Sequence, residues 1–273
     1  MEIKALAFDL DGTLLGAGGV LTDRTAEAVR ACAQKGLQII FATGRSIESS
    51  EKFRAPLECA GPMVYFNGAI IADMPSGKIL HSTLLAKDIA GICLDISRKK
   101  GIYFQAYIPG ARQMPGQPLL TEKDDIQREK YYEHTKILAE ICDLKTVLAD
   151  PEIFGCVKCM FLAEPEVLDS LRPELDERIG RSAYVVRTTS TYLEILNLNV
   201  SKGDGLIKAL KHRGVKQEET IVFGDEENDL RMFEIAGLSV APANAKDIVK
   251  SKADIVTVAN TEDGIAKFLE EIF

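Results

Sequence analysis

Ala5-Leu6-Ala7-Phe8 is an unbroken apolar run, and it leads directly into Asp9-Leu10-Asp11-Gly12-Thr13. A strand without polar and apolar alternation is covered on both faces, the condition of a strand inside a parallel sheet flanked by helices. Unpaired charge at the end of such a strand is costly. Asp9 and Asp11 therefore demand partners that the strand itself does not supply.

The flanking pattern agrees with a parallel sheet. Residues 3–10 read as a buried strand, 22–35 as a helix with Thr22 as N-cap and Gly36 as stop, and 37–42 as a second strand. A helix from Ile47 closes near Pro56, residues 62–66 form a third strand, and 69–73 with 78–81 form a hairpin around Met74-Pro75-Ser76-Gly77. The order then changes to α+β: helix 86–99, strand 102–108, charged helix 122–139, strands near Lys145 and over 156–162, and helix 164–178. Alternation resumes with strand 192–196, helix 202–213, strand 220–223, helix 228–236, strand 239–241 and helices 245–250 and 262–270. The expected fold class is α/β. A doubly wound, Rossmann-like parallel-sheet core is built from residues 1–83 and 190–273, with an α+β cap domain inserted at 84–189.

At 46% hydrophobic and 27% charged residues the chain has the composition of a globular protein, which excludes disordered and fibrous classes. A formal net charge of -8 argues against nucleic acid as a partner, because phosphate neutralisation needs the opposite sign. No apolar segment approaches the ~20 residues that span a bilayer, and Met1-Glu2-Ile3-Lys4 lacks an export pattern, so a cytoplasmic location without membrane association is expected. A monomer or weak homo-oligomer is expected. The six cysteines, Cys32, Cys59, Cys93, Cys142, Cys156 and Cys159, read as small core residues. Cys156 and Cys159 have C-x-x-C spacing, but no second pair or histidine accompanies them and they fall on a strand. His81, His134 and His212 read as surface residues.

In an open α/β sheet, ligands bind beyond the carboxyl ends of the strands. There the sequence places Asp9 and Asp11, Thr43-Gly44-Arg45, Asn67-Gly68, and Gly224-Asp225-Glu226-Glu227-Asn228-Asp229, while Lys202 opens a helix. Four aspartates at one place repel one another unless a cation sits among them, and an all-oxygen carboxylate set suits Mg²⁺. Thr43, the amides of the Gly-rich turn and Lys202 are hydroxyl, backbone and ammonium donors of the kind that bind phosphate oxygens. The spacing of Asp9 and Asp11 fits a pair in which one carboxylate attacks phosphorus and the other manages the proton.

Asp-Leu-Asp-Gly-Thr at 9–13, Thr-Gly-Arg at 43–45, Asn-Gly-Ala at 67–69, Ser-Lys-Gly at 201–203 and Gly-Asp-Glu-Glu-Asn-Asp at 224–229 resemble, in order, the motifs of the haloacid dehalogenase-like hydrolases. The insert resembles the cap of their Cof-type, class IIB subfamily. The resemblance implies Asp9 as nucleophile, Asp11 as general acid/base, and Thr43, Gly44, Lys202 and Asn228 on the substrate phosphate. It further implies Mg²⁺ held by Asp9, the Asp11 carbonyl and Asp225, with Asp229 supporting the metal. The substrate implied is a small phosphorylated metabolite, a sugar phosphate or nucleotide-like phosphomonoester, over which a mobile cap closes. Tyr103, Gln105, Tyr107, Arg112 and Lys158 are candidate cap residues for selecting the leaving group, the sequence leaving open which face of the cap looks toward the core. The chain departs from the family's pattern at Glu226, where a small residue is common, and at Ala241-Pro242-Ala243-Asn244-Ala245. Alternatives are a phosphohexose mutase with a related core, a receiver-like phospho-signalling domain, and a non-catalytic binding module. Arg45 either braces the site or pairs with an acidic neighbour.

Overall fold

In the computed structural model, described over residues 2–111 and 116–273, the apolar run becomes β1 (Ala5–Phe8), with every residue buried. α1 (Asp23–Gln34) follows, its N-terminus capped by the Thr22 hydroxyl, which accepts from the Thr25 amide. β2 (Gln38–Phe41) returns beside β1, and α2 (Ile47–Leu57) is capped by Ser46 and carries Pro56 in its last turn. β3 (Gly61–Tyr65), β4 (Ile70–Met74) and β5 (Lys78–Ser82) form a three-stranded sheet, which meets β2 through a parallel bridge between Ala42 and Val64.

The middle of the chain contains α3 (Lys87–Lys100), β6 (Tyr103–Tyr107), β7 (Leu119–Thr121), α4 (Ile126–Thr135), β8 (Glu140–Ile141) and α5 (Leu144–Ala149). It continues with β9 (Lys158–Leu162), α6 (Pro165–Arg178), β10 (Ala183–Thr189) and β11 (Tyr192–Asn197). The last part contains α7 (Lys202–Arg213), β12 (Thr220–Phe223), α8 (Leu230–Phe233), β13 (Leu238–Pro242), α9 (Asp247–Lys250), β14 (Ile255–Thr257) and α10 (Gly264–Ile272). Two compact units result. One comprises the residues up to His81 with Ser201–Phe273, and the other is Ser82–Val200.

The sheet of the first unit runs β14-β13-β12-β1-β2, all parallel. Ala5, Ala7, Ile40 and Val222 pack one face against Leu206, Ala209 and Leu210 of α7. On the other face Phe8 stacks on Phe223 at 4.7 Å, and Phe223 meets Phe268 of α10 edge-on at 5.6 Å. Burial on both faces is why β1 shows no alternation. From β1 the chain proceeds to β2 on one side and to β12 on the other, so a switch point lies between β1 and β12.

The second unit has a six-stranded sheet in the order β10-β11-β9-β6-β7-β8. Phe104, Ala106, Cys159, Phe161, Leu193 and Ile195 pack one face against α3 and α6. Tyr103, Gln105, Tyr107 and Lys158 point the other way and are buried too. Lys158 pairs with Glu194 at 2.6 Å, and Tyr107 meets the Tyr131 hydroxyl at 3.0 Å. Asn197 donates to the Leu84 carbonyl, holding the two ends of this unit together. Arg112 lies outside the described residues.

Several elements differ from the sequence reading. The stretch around Lys145 is helix α5 rather than a strand, because Asp143 accepts from the amides of Lys145 and Thr146 and nucleates a turn. The helix expected over 122–139 is shorter, starting after Asp125, which caps it, and ending at Lys136 in the left-handed region. Residues 192–196, placed by the sequence reading with the core, are β11, paired antiparallel to β10 and β9 in the second unit's sheet. The stretch 228–236 is a 3-10 turn followed by the short α8. Strands β7, β8, β10 and β14 were not anticipated.

Candidate active site

In register, Phe8 lies opposite both Phe223 and Phe41, so the residues after these strands emerge level with one another. They are Asp9, Gly224-Asp225 and Ala42-Thr43. The Asp9 amide donates to the Phe223 carbonyl at 3.0 Å, fixing the exit of β1. Gly12 then turns the chain at φ 81, and a Cβ built there would lie 2.2 Å from Asp225 Oδ2, so no other residue fits. Thr13 Oγ1 donates to Asp225 Oδ1 at 2.7 Å, locking the two loops. Asn244, in the segment that departs from the family's pattern, donates to the Gly12 carbonyl at 2.8 Å and so supports the same turn.

Lys202 stands at the start of α7, whose N-terminus is capped by Ser201. Its ammonium donates to Asp9 Oδ1 at 2.6 Å and to Asp229 Oδ1 at 2.7 Å, and all three side chains are buried. Asp229 Oδ2 accepts from the amides of Asp225 and Glu226, folding the loop after β12 around it. Carboxylate oxygens of Asp9, Asp225 and Asp229 lie within 4.8 Å of one another, the one such group of three among the described residues.

Three buried carboxylates against one ammonium leave two negative charges uncompensated. The titration behaviour reflects this. Burial, with help from Asp229 and Asp225, raises the Asp9 carboxyl well above the ordinary range despite the opposing pull of Lys202. Burial also pushes Asp225 up to about 6, assisted by Asp229 and Glu226 and resisted by Thr13 and Lys202. For Lys202 burial acts downward, yet Asp229 and Asp9 outweigh it and raise the ammonium above its usual value. An all-oxygen donor set lacking two positive charges fits a hard divalent cation.

Asp11 is placed differently. Its carboxylate accepts two hydrogen bonds from Arg45, Nε at 2.7 Å and Nη2 at 2.6 Å, and its side chain is 55% exposed. The structure thus joins Asp9, Asp225 and Asp229 in one cluster and leaves the Asp11 carboxylate outside it, turned toward the Thr43–Arg45 loop. Arg45 is a brace on Asp11. Thr43 is buried, its Oγ1 accepting from the Arg45 amide at 3.1 Å, and Gly44 lies against the Asn67 side chain. Asn228 Nδ2 donates to Asn67 Oδ1 at 3.0 Å. Glu226 is turned outward to Lys246 at 2.8 Å, which offsets part of its charge, although it still adds to the upward push on Asp225.

The roles of Thr13 and Asn244 and the partnership of Asn67 with Asn228 were not read from the sequence. Thr13 lies inside the first motif and Asn67 at a strand end, so position was a usable signal for both. For Asn244 the sequence pointed to its segment, through the departure at residues 241–245, but not to the hydrogen bond it makes.

A sequence profile of the haloacid dehalogenase-like hydrolases matches residues 6–269. The 5-amino-6-(5-phospho-D-ribitylamino)uracil phosphatase YitU of Bacillus subtilis is 30% identical over 283 residues, covering 100% of this chain and 99% of the relative. A crystal structure from Thermotoga maritima shares 31% identity at a TM-score of 0.86, covering 99% of this chain and 98% of that one. A haloacid dehalogenase-like hydrolase from Bacteroides thetaiotaomicron shares 27% identity at a TM-score of 0.88, with both chains covered in full.

Proposed function

Because the chain belongs to the haloacid dehalogenase-like hydrolases, in their Cof-type form, and is a phosphatase, we propose that it hydrolyses small phosphomonoesters through a phosphorylated Asp9. The observation that carries this reading is the buried Asp9 carboxylate, held by Lys202 at 2.6 Å beside Asp225 and Asp229. The residues that would hold Mg²⁺ are Asp9, Asp225 and Asp229, with the Asp11 carbonyl. Bound there, the cation would supply charge stabilisation on the transferring phosphoryl group.

Thr43, Gly44, Lys202 and Asn228 bind and orient the phosphoryl oxygens. An Asp9 oxygen attacks phosphorus, and as the P–O ester bond breaks its electron pair stays on the leaving oxygen, which takes a proton from Asp11. Asp11 then accepts a proton from water, whose oxygen attacks phosphorus and releases phosphate and the free Asp9 carboxylate. Asp11 must leave Arg45 to reach the leaving oxygen. The Asp11 carboxylate is 55% exposed and the Arg45 side chain 14%, so water takes over the open side of Asp11 when this bidentate pair separates.

The substrates favoured are sugar phosphates or nucleotide-like phosphomonoesters. The Bacillus relative's name joins a phosphorylated ribityl chain to a uracil ring, and that compound belongs among those to be tried. The test is phosphate release from such a panel by wild type and Asp9→Asn, with Mg²⁺ or with chelator. Mg²⁺-dependent release that falls more than about 10³-fold in the variant is expected. Equal release by the two proteins would refute the reading.

A further inference from the structure

Asn67 takes no part in the carboxylate cluster or in the covalent chemistry, yet it is fixed on every side. It is 3% exposed, its backbone lies in the left-handed region at φ 56, and its amide donates to the Thr43 carbonyl at 2.9 Å. Asparagine tolerates that backbone better than most residues. A Cβ on Gly44 would lie 3.1 Å from its Oδ1 and 3.3 Å from its Nδ2, so the Asn67 carboxamide rests directly on the Thr43-Gly44 turn. Its other partner is Asn228, the neighbour of Asp229.

The pairing leaves one group unsatisfied. With Asn228 Nδ2 donating to Asn67 Oδ1, Asn228 Oδ1 is buried and has no hydrogen-bond partner. An orphaned acceptor is unfavourable. A carboxamide is nearly symmetric in shape, so turning both ends exchanges nitrogen and oxygen without displacing heavy atoms. In the exchanged arrangement Asn67 Nδ2 donates to Asn228 Oδ1, and the Asn228 N–H group takes the orphaned position. An anionic phosphoryl group needs donors.

We propose that Asn67 is a positioning residue: its amide exchanges donor and acceptor roles with Asn228 when a phosphoryl group binds, turning the Asn228 N–H toward that group. This rests on the phosphate-binding role given above to Thr43, Gly44 and Asn228. Asn67→Gly keeps the left-handed backbone and removes the amide.

Inorganic phosphate binding in the presence of Mg²⁺, measured by calorimetry, is expected to weaken about fivefold in that variant, because Asn228 keeps its N–H but loses the neutral Asn67 hydrogen bond that holds it toward the anion. As a readout that packing alone does not move, the side-chain amide NMR signals of both Asn67 and Asn228 in wild type are expected to shift together on phosphate titration. Phosphate affinity in Asn67→Gly within twofold of wild type, or Asn67 signals that stay still at saturating phosphate, overturns the proposal. Because neither measurement uses turnover, a wild type that binds phosphate but releases none from esters would defeat the phosphatase reading separately.

Discussion

Asp225→Asn measures the electrostatic strain that the carboxylate cluster imposes on the metal-free protein. Asparagine keeps the Oδ1 that accepts from Thr13 and removes a buried charge. In wild type Asp225 is raised from 3.8 to about 6, first of all by burial. Between those two values the unfolded chain has released the proton and the folded chain still holds it, so the folded state binds more protons and stability falls as pH rises. The difference between about 6 and 3.8, at about 1.36 kcal/mol per pH unit, is about 3 kcal/mol. Asp9 is raised too and acts with the same sign, and the substitution removes one of the charges that raise it.

Urea unfolding of both proteins in chelator, followed from pH 4 to pH 7.5, is the assay. The stability of Asp225→Asn relative to wild type is expected to grow by about 3 kcal/mol across that window. Added Mg²⁺ at pH 7.5 is expected to stabilise wild type preferentially, since a cation at a hundred times its Kd contributes about 2.7 kcal/mol, enough to offset the strain. A relative stability that stays flat or falls with pH would show that the cluster carries no such strain.

Two further outcomes follow from the same geometry. Lys202→Met leaves Asp9 and Asp229 buried without their ammonium, so a loss of about 3–5 kcal/mol at pH 7.5 is expected in urea unfolding, together with a kcat drop of at least about 100-fold. Gly12→Ala forces a methyl group toward Asp225 Oδ2 at an unfavourable φ, and about 1–3 kcal/mol of stability and most of the activity are expected to be lost; a melting temperature and kcat equal to wild type would contradict the close approach.

Much of the site was legible because it sits where regular structure stops. Apolar periodicity located β1, β2 and β12, and Asp9, Thr43 and Asp225 are the polar residues that follow them. Irregular and short elements were less legible. Asp143 turns the Lys145 stretch into a helix through two local hydrogen bonds, a cap that overrides a weak apolar pattern. β11 reads as a strand from its own residues, but its sheet is decided by pairing with β9 and β10, and no residue of β11 announces those partners.

The sequence by itself determined which residue types stand at the carboxyl ends of a parallel sheet, since burial on both faces and the cost of terminal charge are written into short runs of residues. Only the tertiary structure decided how those residues pair. Lys202 reaches Asp9 across 193 positions of sequence, Asp11 turns to Arg45 and away from the other aspartates, and Asn67 meets Asn228 across 161. Hydrogen bonds and ion pairs act over a few ångströms in space, so their partners exist only once the strands have been set in register.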